Sequence, residues 1–264
     1  MDFLKPRRKS SISDALYIAL NVALAIVITI VIITTGSLWM ALLIVLFSKW
    51  RIFSVRPHYW MANILSNLVD VVVSVGVAVF IYAAGENLDG GEVLPIQIAL
   101  TVMYIVWLLF IKPRSENWAV TLQAGSALFM GVSSVFILGY DWPSSLVVLL
   151  VWCVSYMSAR HVLIANREPH YVLIGLCVAF VMAELSWLLY HWTIGYSVPF
   201  GGGLQLPQPA IILTLVGFMM DRVYNNYRRN HGNVAVREIV SPVVFSMAAL
   251  VVMMVFFGAT GGLK

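Results

Sequence analysis

The sequence predicts an all-α fold, a polytopic integral membrane helical bundle of about nine transmembrane helices with its N-terminus inside and its C-terminus outside. Three observations predict it. Of 264 residues, 61% are hydrophobic and 11% are charged, where soluble domains carry roughly a quarter charged residues. The apolar residues gather into segments near the length a helix needs to cross a hydrocarbon layer about 30 Å thick. Finally, of the 16 Lys and Arg residues all but Lys264 fall on one side when those segments are counted as full crossings. The composition excludes a water-soluble globular domain and a disordered chain, and two cysteines exclude a disulfide scaffold.

Each apolar segment reads as a helix, because only a helix satisfies its own backbone where no water is available. The first, Ser13 to Thr35, follows the basic residues Lys5, Arg7, Arg8 and Lys9, and with no small-residue cleavage site after it reads as a retained span. The second, Leu38 to Phe53, has a purely apolar run only from Leu38 to Phe47, and crosses if Lys49 and Arg51 snorkel. Met61 to Ala84 and Leu94 to Ile111 flank a loop carrying Glu86, Asp89 and Glu92. Asn117 to Leu138 and Ser144 to Ile164 flank Asp141. His170 to Trp192 leads into a loop rich in Gly and Pro, a flexible tether or a gate. Pro209 to Tyr224 is short, and Ile239 to Gly258 closes the series.

Charge settles the weak second and eighth spans. With every segment a full crossing, the clusters Lys49 to Arg56, Lys112 to Arg114, Arg160 to Arg167 and Arg222 to Arg237 join the N-terminal tail on one face. The opposite loops hold acidic residues and no basic one before Lys264. The positive-inside rule makes the basic face cytoplasmic, in a plasma membrane, the inner membrane if the source is bacterial. No connection is long enough for an independent core, so residues 1–264 read as a single transmembrane domain.

Pro57, Pro113 and Pro169 are each 56 residues apart, and each precedes an outward-going span. A hairpin of two spans and two turns has about that length, which fits a tandem hairpin repeat of the parallel-repeat kind. Spans of similar length, each started by proline, give the same spacing.

Two ionisable residues fall deep in spans, where they are costly and mark sites first. Asp70 lies about ten residues into the third span, near 15 Å and close to the midplane. Asn63, Asn67, Asp70 and Ser74 follow at helical spacings and form one polar stripe. That stripe reads either as a proton or cation site reached from the cytoplasm, or as a hydrogen-bonded seam between helices. Glu184 shares a face with Trp187 and His191, near Tyr190 and Trp192. Glu184 and His191 suit an outward-opening proton relay, whereas the aromatic residues suit the belt at the head groups. Asn21, Gln123, Ser126, Ser133 and Ser134 read as glue between helices, and Cys153 and Cys177 as small buried hydrophobes.

The basic face gathers His58, His161, His170 and His231 among arginines and tyrosines, and Arg56, Arg228 and Arg229 are its candidate contacts for anionic lipid or a protein partner. Lys49 followed by Arg56-Pro57 resembles the first signature of the lipid phosphatases typified by phosphatidic acid phosphatase. That signature's companions fail, since Pro143-Ser144-Ser145-Leu146 lacks the Gly and His, and Ser158 to His170 lacks the spaced His and Asp. No family is assigned on it. No mid-span Lys supports a retinal Schiff base, and no phosphate loop, zinc motif or haem-ligating pair occurs, so no cofactor, metal or nucleic acid is expected. The sequence therefore predicts a small-solute or proton-coupled ion transporter using Asp70 and Glu184. Its alternative is a non-catalytic scaffold or assembly subunit, and a lipid-modifying enzyme stands third.

Overall fold

In the computed structural model, residues 11–54, 56–87, 93–197, 204–230, 233 and 235–257 are described. The N-terminal basic tail, Asp89, Glu92, His231 and Lys264 lie outside them. Among the described residues nine α-helices follow one another: α1 (Ser11–Thr35), α2 (Leu38–Ser48), α3 (Trp60–Asn87), α4 (Val93–Val106), α5 (Asn117–Leu138), α6 (Ser144–Ala165), α7 (Tyr171–Tyr190), α8 (Gln208–Arg229) and α9 (Val236–Phe257). A π-helical turn, Trp107–Ile111, continues α4. The flanks of the loop after α7 form a short antiparallel ribbon, β1 (Gly195–Ser197) with β2 (Gln205–Pro207), pairing Gly195 with Pro207. Residues 198–203 of that loop lie outside the described residues.

Among the described residues, six helices, α1 and α3 to α7, are long and apolar enough to cross a membrane. The second segment is shorter than its sequence suggested. Its helix has 11 residues, about 16 Å, and Trp50–Ser54 forms a 3-10 turn in place of the expected last turns. The eighth is longer, running past Tyr224 to Arg229 and carrying Asp221 and Arg222 within the helix.

Turn chemistry explains two of the joints. Gly36 has φ +60°, a left-handed conformation that glycine adopts without a Cβ clash, and its N–H returns to Ile32 O at 2.9 Å to close α1. After α6 the same job falls to Arg167, with φ 54°, while Glu168 N donates to Leu163 O at 3.0 Å.

The helices pack as two groups around two central helices. α1, α2 and α4 surround α3, whereas α6 and α8 pack on α5 and α7 packs on α6 and α8, and α3 joins the groups through α5 and α6. The first core gathers Ile28, Val45, Val73, Tyr104 and Leu108. The second gathers Leu128, Val132, Val147, Met182 and Leu213. At their seam Gly76 of α3 lies so close to α5 that an added Cβ would fall 2.6 Å from Met130 Cβ. α9 rests against α8.

Candidate functional site

Hydrogen bonds and ion pairs gather the basic ends of the helices at one end of the bundle. Asp70 of α3 is buried there, and Lys49, which follows α2, and Lys112, which follows the π-helical turn, both reach its Oδ2, the latter at 2.9 Å. Asp70 Oδ1 is buried without a hydrogen-bond partner. One turn on, Ser74 Oγ donates to the Asp70 carbonyl at 2.6 Å and accepts from the Tyr104 hydroxyl at 2.8 Å. Asn67 Nδ2 donates to the Asn63 carbonyl at 2.8 Å, within the same helix. Thus the expected stripe from Asn63 to Ser74 exists, but lysines from two other segments close its head.

Asp70 lies about 15 Å along α3 from its Trp60 end. α3 has 28 residues, about 42 Å, which exceeds a hydrocarbon layer of about 30 Å. Asp70 stands about 25 Å from the outer end of α3, level with Lys49 and Lys112, which terminate their own helices.

A second polar joint lies beside the first. Gln123 Nε2 donates to the carbonyls of Ile111 (2.7 Å), Arg114 (2.9 Å) and, more weakly, Lys112 (3.3 Å). Gln123 Oε1 lies 2.9 Å from His161 Nε2 of α6. One side chain thereby ties the end of the π-helical turn to α5 and α6. Arg160 Nη1 adds a bond to the Leu65 carbonyl at 3.3 Å.

Glu184 does not join Asp70. It is exposed on the outer side of α7, whose buried side carries Gly175, Ala179, Met182, Ala183 and Ser186. Trp187 is exposed too, and its ring meets His191 edge-on at 5.2 Å. Cys177, expected to be buried, is exposed on the same helix, and Cys153 is half-buried; both are free thiols. Among the described residues, no group of three or more His, Cys, Asp and Glu side chains is placed to hold a metal.

Open space lies in the other half. A cavity of 640 Å³ opens among α5, α6, α7 and α8, walled mainly by apolar side chains such as Leu122, Phe129, Val178 and Phe218. Trp118, Thr121, Val162, Asp221 and Arg222 line both it and an adjoining chamber of 610 Å³ at the basic end. That chamber adds Asn117, Asn166, Asn225, Arg228 and Arg229. Three arginines there face a single carboxylate, Asp221, so the chamber is net positive. Arg222 stacks its guanidinium over Phe218 at 4.9 Å. Arg228 donates to the Asn166 carbonyl at 2.8 Å and lies 5.8 Å from the Tyr224 ring, whose hydroxyl donates to Glu168 at 2.6 Å. Arg229 is exposed at the end of α8. Arg56, the other expected contact, is exposed before α3 and lines neither chamber.

Sequence reasoning singled out Arg228 and Arg229 but passed over Asp221, Arg222 and the cavity. The signal was present in α8, where Asp221 and Arg222 interrupt an apolar run at the end of the expected eighth span. The chain matches no protein-family model, no curated protein and no solved structure.

Proposed function

We propose that the protein is an integral membrane protein that binds lipid with an anionic headgroup at its cytoplasmic face and catalyses no reaction. The observation that carries this reading is the basic chamber among α5, α6 and α8, where Arg222, Arg228 and Arg229 outnumber Asp221. Guanidinium groups bind phosphate oxygens through paired hydrogen bonds, and a basic residue at an anionic leaflet gains about 1 kcal/mol. Nine crossings with the N-terminus inside would set this chamber in the cytoplasmic leaflet of the plasma membrane, where anionic lipid is concentrated. The protein purified in mild detergent should carry phosphatidylglycerol in preference to phosphatidylethanolamine, read by mass spectrometry of the intact complex. The pair Arg222→Gln and Arg229→Gln should abolish the preference, and an unchanged preference would end the reading.

A second reading, transport of an ion or small solute coupled at Asp70 with Glu184 and His191 outward of it, is favoured by the partnerless Asp70 Oδ1. A buried carboxylate oxygen without a donor is a place for a proton. This reading requires flux into proteoliposomes that Asp70→Asn removes; flux that survives the substitution defeats it.

A further inference from the structure

Helix-interior glycines in this bundle serve close packing, with one exception. An added Cβ at Gly76 would meet Met130, at Gly131 Val154 and at Gly217 Leu128, each within 2.7 Å. At Gly125 in α5 it would meet nothing within 4 Å. Gly125 costs α5 about 0.5–1 kcal/mol relative to alanine and gains no helix contact in return. What it borders is the cavity among α5 to α8. Protein interiors pack to the density of organic crystals, so open space lined by apolar side chains is an exception, and such space accepts apolar ligands.

The cavity is also polarised along its length. Its basic end lies where Asn117 begins α5, Asn166 follows α6 and Arg228 and Arg229 end α8. From there it runs inward to Leu128 and Met182. Leu128 is about 16 Å along α5 from Asn117, close to half of a hydrocarbon layer about 30 Å thick. A space one leaflet deep, apolar within and cationic at the headgroup end, matches the shape and charge of a membrane phospholipid.

We infer that this cavity holds the acyl chain of one anionic phospholipid, with its phosphate on Arg222 and Arg229 and Gly125 keeping the room for the chain. The inference rests on the headgroup reading above and goes further, because it takes the chain out of the bilayer and into the bundle. Asp221 sits at the junction of the two chambers, so the bound phosphate lies on the arginine side of it.

The test uses the full chain in vesicles of phosphatidylethanolamine and phosphatidylglycerol with a trace of phosphatidylglycerol spin-labelled on its acyl chain. A strongly immobilised component should appear in the wild-type spectrum and persist in Gly125→Ala. It should fall at least about fivefold in Gly125→Trp, a loss of at least about 1 kcal/mol of binding, and in Gly125→Leu, which serves if the tryptophan variant misfolds by size exclusion. Inorganic phosphate added to the vesicles should not displace it, since a free anion lacks the chain. Displacement by phosphate, or an unchanged component in a folded Gly125→Leu or Gly125→Trp protein, overturns the inference. If the Arg222→Gln, Arg229→Gln pair still abolishes the phosphatidylglycerol preference in that case, the headgroup reading survives alone. An immobilised component indifferent to those arginines and equal for labelled phosphatidylethanolamine overturns both.

Discussion

Around α3, the helices close on their buried carboxylate: Asp70 is gripped by lysines at the ends of α2 and the π-helical turn, and Tyr104 and Ser74 fill the turn beyond it. Around α5, the helices stand apart, and Asp221 and Arg222 border a cavity of 640 Å³. Each half spends charged side chains inside a chain with 11% charge. In the first half two lysines pair with one oxygen of the carboxylate; in the second the arginines border open space, and in both the carboxylate keeps a buried Oδ1 without a hydrogen-bond partner. A buried charge cluster that closes on itself is a joint, and one that faces a cavity is available to a ligand.

The contrast can be broken most forcefully at Asp70. Asp70→Asn leaves two lysines facing each other without a counter-charge and should cost about 3–5 kcal/mol, seen as a large fall in the midpoint of thermal unfolding in detergent. Asp221→Asn should cost far less, because the arginines beside it reach solvent; an equal loss from the two would erase the difference between the halves. Next comes Gln123→Leu, which strands carbonyls at the end of the π-helical turn and should cost about 2 kcal/mol on the same assay. Replacing the strained Arg167 should act the other way, with Arg167→Gly raising stability by about 1 kcal/mol. The smallest effect is at the cavity, where Gly125→Ala should stabilise α5 by about 0.5 kcal/mol. A destabilising Gly125→Ala would mean that the space beside it is closed in the membrane.

Much of this architecture was legible as pattern. Helix existence followed from apolar length, and the grouping of Lys49, Lys112, Arg160 and Arg228 at one end of the bundle followed from alternation of the spans. The partners of Asp70 were not legible, because Lys49 and Lys112 reach it from two separate segments whose ends hydropathy does not bring together. Facing was not legible at Glu184: its neighbours at helical spacing are aromatic, and aromatic faces suit lipid and core alike, so the exposed side of α7 could not be told from the buried one. Gly125 was silent for a different reason. The absence of a side chain means close packing at Gly76 and open room at Gly125, and only the neighbouring helices distinguish them.

The π-helical turn at the end of α4 holds one residue more than an α-helix would. Lys112 N returns to Trp107 O, five residues back, at 2.9 Å. Each residue turns an α-helix by about 100°, so the same residues wound as a regular α-helix would swing Lys112 around the helix, away from Asp70; the wide turn absorbs the extra residue and keeps Lys112 facing it. The same regular winding would draw the Ile111 carbonyl off Gln123 and loosen the tie to His161. The joint between the halves thus depends on how this short segment winds as much as on residue identity: every one of these polar side chains could be kept, and a regular turn in place of the wide one would still cost them their meeting point.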